Sequence, residues 1–270
     1  MNNTGPSVEP TALPLPWHVV EDDDDVCAIE FDGGVRRTMG ISGANQFAEM
    51  IEERALRVDP PVLVVAIGIL HAELREVLEM ANGRPIGDWA PWLRAIVGLE
   101  DYPSATIVAV PDQATCGGLE LSLAADIRIA APTASLGVLE TRMGLIPGAG
   151  GTQRLPRLVG PANAALLCFL GESVSGVEAH RMGLVQLLDD DPVNCALVLA
   201  RRMSQRGSAV LRAAKRAVIA ARPSNEDGFR TEGKGFLDVV GRDESKATMS
   251  EWIRRQDAGD PPSRDPSWLA

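Results

Sequence analysis

The sequence predicts an α/β protein built on a largely parallel sheet, with a helical region at its carboxyl end. Three observations predict it. Apolar β-like runs alternate with helix-periodic segments through the first two-thirds of the chain. The run at residues 62–67 is almost continuously apolar and bounded by Pro61 and Gly68, as a strand covered on both faces requires. After Pro161 the strands give way to successive helical patterns, with one short apolar run at 185–188 between them.

Taken in order, residues 17–20 and 26–31 are β-like runs flanking the acidic stretch 21–25. That stretch reads as a solvated hairpin turn, with a metal site the weaker reading. Residues 42–57 carry helical spacing, with Phe47, Met50, Ile51 and Leu56 apolar. Helices are expected at 72–81 and 89–97. A strand at 107–110 feeds the pair Gly117-Gly118 and a helix at 119–125, and 126–130 is a further strand. Helices follow at 162–170, 176–182, 193–203 and 209–221. The expected organisation is a polar, proline-rich and disordered lead-in at 1–16, an α/β core at 17–200, and a helical region with its tail at 201–270.

With 270 residues the chain can bury one substantial core. Its net charge of −11 and lack of a basic stripe argue against nucleic acid as a partner. Cys27, Cys116, Cys168 and Cys195 have neither paired nor metal-ligand spacing, so they read as free thiols in a reducing compartment, with no metal site. The lead-in has neither the basic start nor the apolar centre of a signal peptide, and no apolar run is long enough for a bilayer. A cytoplasmic location without a membrane partner is expected.

Two glutamates carry the chemical signal. Glu120 closes Cys116-Gly117-Gly118-Leu119-Glu120, directly after a strand; Glu140 precedes the glycine-rich stretch 143–155. A strand feeding glycines that open a helix leaves free amides aimed at one point. Two carboxyls around that point suit general acid/base work. Taken singly, Glu120 reads as a first-turn helix acid and Glu140 as an exposed loop acid. Their flanks favour chemistry.

Those flanks resemble the crotonase superfamily, the enoyl-CoA hydratase/isomerase family. The run Ile146-Pro-Gly-Ala-Gly-Gly-Thr-Gln-Arg-Leu-Pro-Arg-Leu-Val-Gly160 is similar to the family's central signature, and Gly171-Glu-Ser-Val-Ser-Gly-Val-Glu-Ala-His-Arg-Met-Gly-Leu-Val185 to its next block. The likeness runs from about residue 17 to 256. It implies a ClpP/crotonase-like fold of repeated ββα turns, a helical tail packed on the core or on a neighbouring subunit, and a homotrimer or a hexamer formed as a dimer of trimers.

For the site, the resemblance implies backbone donors at Ala72 and Gly117 that stabilise an enolate oxygen, with Glu120 and Glu140 as the acid/base pair. Gly117 also suits a tight strand-to-helix turn. Pocket positions would be Leu70, His71, Gly118, Leu139, Gly144 and Gly148. CoA contacts would fall on Arg36, Arg37, Trp252 and Arg255, the last two reaching the adenine or its phosphates across a subunit contact.

Several positions depart from the family pattern. His71 stands where a glycine is expected, the preceding loop is short, Leu139 replaces a common proline, and the early Asn-Arg-Pro-like segment is missing. The implied enzyme is a lyase adding water reversibly to a 2,3-unsaturated acyl thioester, as in fatty acid metabolism. It needs no cofactor beyond the CoA or phosphopantetheine arm that carries the substrate. Alternatives are isomerisation, decarboxylation or dehydration in a secondary biosynthetic pathway, with an acyl-carrier-protein substrate, or a non-catalytic thioester-binding member.

Overall fold

A computed structural model describes residues 16–32, 37–68, 71–85, 89–221 and 226–259. The chain opens with β1 (Trp17–Asp22) and β2 (Val26–Phe31), an antiparallel pair around the acidic turn. Asp23 shapes that turn, its carboxylate accepting from the amides of Asp25 at 2.8 Å and Val26 at 2.7 Å.

Beyond it the chain repeats one unit: a strand in the main sheet, a short strand in a minor sheet, then a helix. The first is β2 followed by β3 (Thr38–Met39) and α1 (Ile41–Ala55). The second is β4 (Val62–Ala66), β5 (His71–Ala72), α2 (Leu74–Ala81) and α3 (Ala90–Glu100). The third is β6 (Thr106–Val110), β7 (Gln113–Thr115) and α4 (Gly117–Ala124). The fourth is β8 (Ile127–Ala130), β9 (Ser135–Gly137), a 3-10 turn (Glu140–Met143) and α5 (Gly151–Leu170). The rest comprises β10 (Ser173–Ser175), α6 (Gly176–Arg181), β11 (Leu187–Leu188), α7 (Pro192–Ser204), α8 (Ser208–Ala220), α9 (Glu226–Val240) and α10 (Asp243–Asp257).

The main sheet has the order β1-β2-β4-β6-β8-β11, parallel except for the β1–β2 hairpin. β4 and β6 are buried at every position, which explains their unbroken apolar sequence. The ββα repetition and the α/β class expected from the sequence are both present. No helix among the described residues is long and apolar enough to cross a membrane.

The short strands β3, β5, β7 and β9 escaped the periodicity reading because two or three residues carry no alternation to detect. The helix expected at 72–81 starts at Leu74, since Ala72 is in β5 and the Glu73 side chain caps the first turn through the Arg75 amide. The helix expected at 162–170 is the second half of a longer α5, broken at Gly160 (φ 77°, ψ 159°) just before Pro161, which has no N–H to donate. Residues 1–15 of the lead-in lie outside the described residues.

α4 is buried along its whole length, so the carbonyls at its carboxyl end need internal partners. Arg128 supplies them, its guanidinium donating to the carbonyls of Ala125 at 2.8 Å and Ser122 at 3.2 Å, and to that of Leu184 at 2.9 Å. A cation therefore sits at the negative end of α4, while its amino end faces the site. β9 is pressed between β7 and β10. A Cβ at Gly137 would lie 2.5 Å from the Glu172 carbonyl oxygen and 2.7 Å from Ser173 Cα, backbone atoms that cannot turn aside. Gly137→Ala is expected to cost about 1–3 kcal/mol, read as a lower urea midpoint at unchanged slope.

Candidate active site

β7 delivers the chain to Cys116, which takes φ 50° and ψ −128°, a conformation that costs a non-glycine residue energy. Its amide donates to the Gly137 carbonyl at 2.8 Å, holding the bend against β9. α4 then begins at Gly117, whose N–H is too early in the helix for an intrahelical acceptor. A Cβ there would meet the Trp92 ring at 3.0 Å and stand 3.5 Å from the Ala72 amide nitrogen. Glycine thus lets the start of α4 approach β5 closely. Ala72 and Gly117, the two expected donors, lie side by side on one pocket wall.

His71 lines the same pocket and is buried. Its Nδ1 lies 2.5 Å from the Ala72 carbonyl oxygen, which can only accept, so Nδ1 carries the proton. Burial lowers the pKa of the ring and favours its neutral form. Nε2 is left as a lone-pair acceptor with no partner among the described residues.

The two glutamates face the pocket from different elements. Glu120, on the first turn of α4, receives the amides of Ala149 and Gly151 on its Oε1, both at 2.8 Å. Burial, followed by the nearby Glu232 charge, still pushes its pKa up to about 8 against those amides and Arg154. Glu140 opens the 3-10 turn, and its Oε2 has no hydrogen-bond partner among the described residues. Burial, reinforced by the Glu120 charge, holds its carboxyl well above the usual carboxylate range. Groups coupled this way release protons as a pair, one ionising while the other keeps its proton.

Around the reacting end the lining is apolar. Leu74, Val77, Trp92, Met143, Leu145 and Phe236 contribute to a pocket of about 450 Å³, space at its mouth included. Its outer wall comes from the carboxyl-terminal helices, where Val240, Met249 and Trp252 pack on Leu74, Val77 and Met143. Phe236 and Glu232, both on α9, were not anticipated. The sequence around them, Arg230-Thr-Glu-Gly-Lys-Gly-Phe236, carries no motif, and only its helical spacing could have drawn notice.

The other expected positions divide. Gly148 lines the pocket, with Phe236 2.9 Å from where its Cβ would be. Gly144 does not face the pocket: it ends the 3-10 turn at φ 75°, and its carbonyl accepts from the Ser245 hydroxyl of α10 at 2.7 Å. Gly118 and Leu139 sit behind the lining, one within buried α4 and the other capping the 3-10 turn. Leu70 and Arg36 lie outside the described residues. Arg37 pairs with Asp112. Trp252 is buried under the Arg142 guanidinium, 5.8 Å from the ring centre, and packs in an apolar cluster of its own chain. Arg255 is exposed beside Glu251 at 3.7 Å.

Comparison with known proteins identifies the family. The family model for enoyl-CoA hydratase/isomerase matches residues 76–258, more than half of the chain. Human mitochondrial enoyl-CoA hydratase domain-containing protein 2 is 39% identical over 166 residues, covering 58% of this chain and 55% of that protein. Mitochondrial methylglutaconyl-CoA hydratase of Rattus norvegicus is 39% identical over 154 residues, covering 54% and 49%. The chain spans about half the length of these curated relatives. Among solved structures, an enoyl-CoA hydratase from Bacillus anthracis superposes with TM-score 0.71 at 26% identity, covering 92% of this chain and 98% of its own. An enoyl-CoA hydratase/isomerase from Mycobacterium paratuberculosis reaches TM-score 0.80 at 15% identity, covering 88% and 99%, a likeness of fold alone.

The buried acids set a direction for stability against pH. A carboxyl whose pKa rises on folding holds a proton that the unfolded chain releases, so stability falls as pH rises. For Glu120 the contribution is complete below 4.5 and is lost as pH passes through about 8. The melting temperature is expected to drop between about pH 5 and pH 8, and to drop less in Glu120→Gln, which has no such proton to lose.

Proposed function

Because the chain belongs to the enoyl-CoA hydratase/isomerase family, we propose that it adds water reversibly across the 2,3-double bond of an acyl thioester. The observation that carries this reading is convergence. Both carboxyls and both donor-bearing residues border one buried, largely apolar pocket. Negative charge growing on the thioester oxygen would be met by the Ala72 and Gly117 amides, held in place beforehand by β5 and α4.

The two acids differ in a way that suggests their roles. Glu120 has two amides on one oxygen to support an anion. Glu140 has an oxygen unpartnered among the described residues, and burial is the main force on it. Glu120 is therefore the better base and Glu140 the better acid at the start of the forward reaction. In that direction Glu120 takes a proton from water as its oxygen bonds to C3, and the π electrons move toward the thioester. Glu140 then places its proton on C2. Each turnover leaves Glu120 protonated and Glu140 ionised, and proton exchange with solvent or between the pair restores the starting state.

The substrate is drawn as a thioester of CoA. Among the residues expected at the far end of that carrier, Arg37 is engaged by Asp112 and Trp252 by the core. These engagements favour testing an acyl group on carrier-protein phosphopantetheine beside CoA. A homotrimer or a dimer of trimers in the cytoplasm completes the proposal. Phe169, Val210 and Val218, which stay exposed on the single chain, support association, and light scattering checks it.

Crotonyl-CoA incubated with the purified protein is expected to lose its conjugated-thioester absorbance. Glu120→Gln and Glu140→Gln are each expected to lower kcat by about 100-fold or more with little change in KM. Undiminished turnover in Glu120→Gln would overturn the acid/base assignment. A migrated double bond without added oxygen would establish isomerisation instead, and tight binding of the thioester without turnover would establish a binding protein.

A further inference from the structure

We infer that Glu232, on α9, is a positioning residue for the acid pair, clasping the amino-terminal turn of α5 so that the alternate amides of that turn face Glu120. Four consecutive backbone amides are shared between two carboxylates. Ala149 and Gly151 donate to Glu120 Oε1, both at 2.8 Å. Gly150 donates to Glu232 Oε1 at 2.7 Å, and Thr152 donates to Glu232 Oε2 at 3.0 Å, with the Thr152 hydroxyl on the same oxygen. The turn is thus gripped from both sides.

Neighbouring contacts are built for the close approach this clasp needs. Gly150 takes φ 100°, and a Cβ there would lie 1.8 Å from the Arg154 guanidinium. A Cβ at Gly228 on α9 would lie 1.9 Å from Gln153 Oε1 on α5. The Arg154 guanidinium sits 5.2 Å from the Phe229 ring centre, again joining α5 to α9. Glu232 is 5% exposed, so its carboxyl acts on the turn without competition from bulk water.

Its charge also acts on Glu120, whose pKa it helps to raise. The other groups bearing on Glu120 are Glu140 from the 3-10 turn, Cys116 at the start of α4, and Arg154 and Cys168 from α5. Glu100 on α3 pairs with Arg154, and neutral His71 shares the pocket from β5. Among these groups Arg154 is the cation, and it too contacts the turn, donating to the Ala149 carbonyl at 3.0 Å.

The kinetic arm of the test rests on the hydratase reading; the spectroscopic arm does not. With 13C-carboxyl-labelled glutamate, the Glu120 resonance is assigned by its loss in Glu120→Gln. In Glu232→Gln its titration midpoint is expected to fall by roughly one pH unit, because the lost charge bears on Glu120 more strongly than either amide that a loosened turn would slacken. The acid limb of the kcat/KM profile should move the same way, with kcat down about tenfold and KM within about twofold. A folded Glu232→Gln protein with an unmoved Glu120 titration overturns the inference, even where hydration proceeds. Wild-type protein that hydrates nothing while the midpoint still moves sinks only the hydratase reading. Should Glu232→Gln fail to fold, Glu232→Asp keeps the charge but is too short to span both amides. It is expected to lower kcat about threefold or more, and a wild-type kcat together with a wild-type titration in that variant is equally fatal.

Discussion

Burying carboxyl groups in an apolar pocket penalises their charged forms, and that penalty shapes this molecule around Glu120, Glu140 and Glu232. Each group is treated differently by its surroundings. Glu120 and Glu232 are offered backbone amides, whereas one oxygen of Glu140 has no partner among the described residues. An anion is therefore disfavoured at all three positions, and less so at the two that are offered amides. Chemistry that needs a base and an acid in one small space is served by that inequality, and the fold maintains it through backbone rather than through mobile side chains.

The repeated strand–strand–helix unit explains how the groups meet. Main-sheet strands run in parallel, so their carboxyl ends lie along one edge, and each short second strand turns the chain back over that edge. β5 brings His71 and Ala72, β7 brings Cys116 and Gly117, and β9 leads into Glu140. Residues separated by tens of positions become neighbours because each unit repeats the same turn. Bends at Cys116 and Gly144, both with positive φ, let those turns be tight.

Much of this was legible in the sequence, unevenly. Residues 62–67 announced a buried parallel strand because a strand covered on both faces leaves no polar positions. Glu120, Glu140 and Gly117 could be picked out because their glycine-rich flanks resemble the family's pattern, whereas taken singly the two acids look ordinary. Glu232 could not, since its partners are backbone amides some eighty residues away, and an acid on an amphipathic helix looks like any solvated one. For Trp252, spacing places an aromatic residue on a helix but does not say how much of the ring its own chain will cover. Gly144 was grouped with Gly148 by its flanks, although a left-handed turn sends one toward α10 and leaves the other on the pocket.

Phe236 and Glu232 stand four residues apart on α9, and so lie on one face of that helix. Phe236 is part of the wall that an acyl chain would touch, while Glu232 grips the turn that supports Glu120. One helix therefore carries both a wall of the cavity and the carboxyl that holds that turn. Were that helix displaced to admit a ligand, its hold on the turn whose amides reach Glu120 would slacken in the same motion.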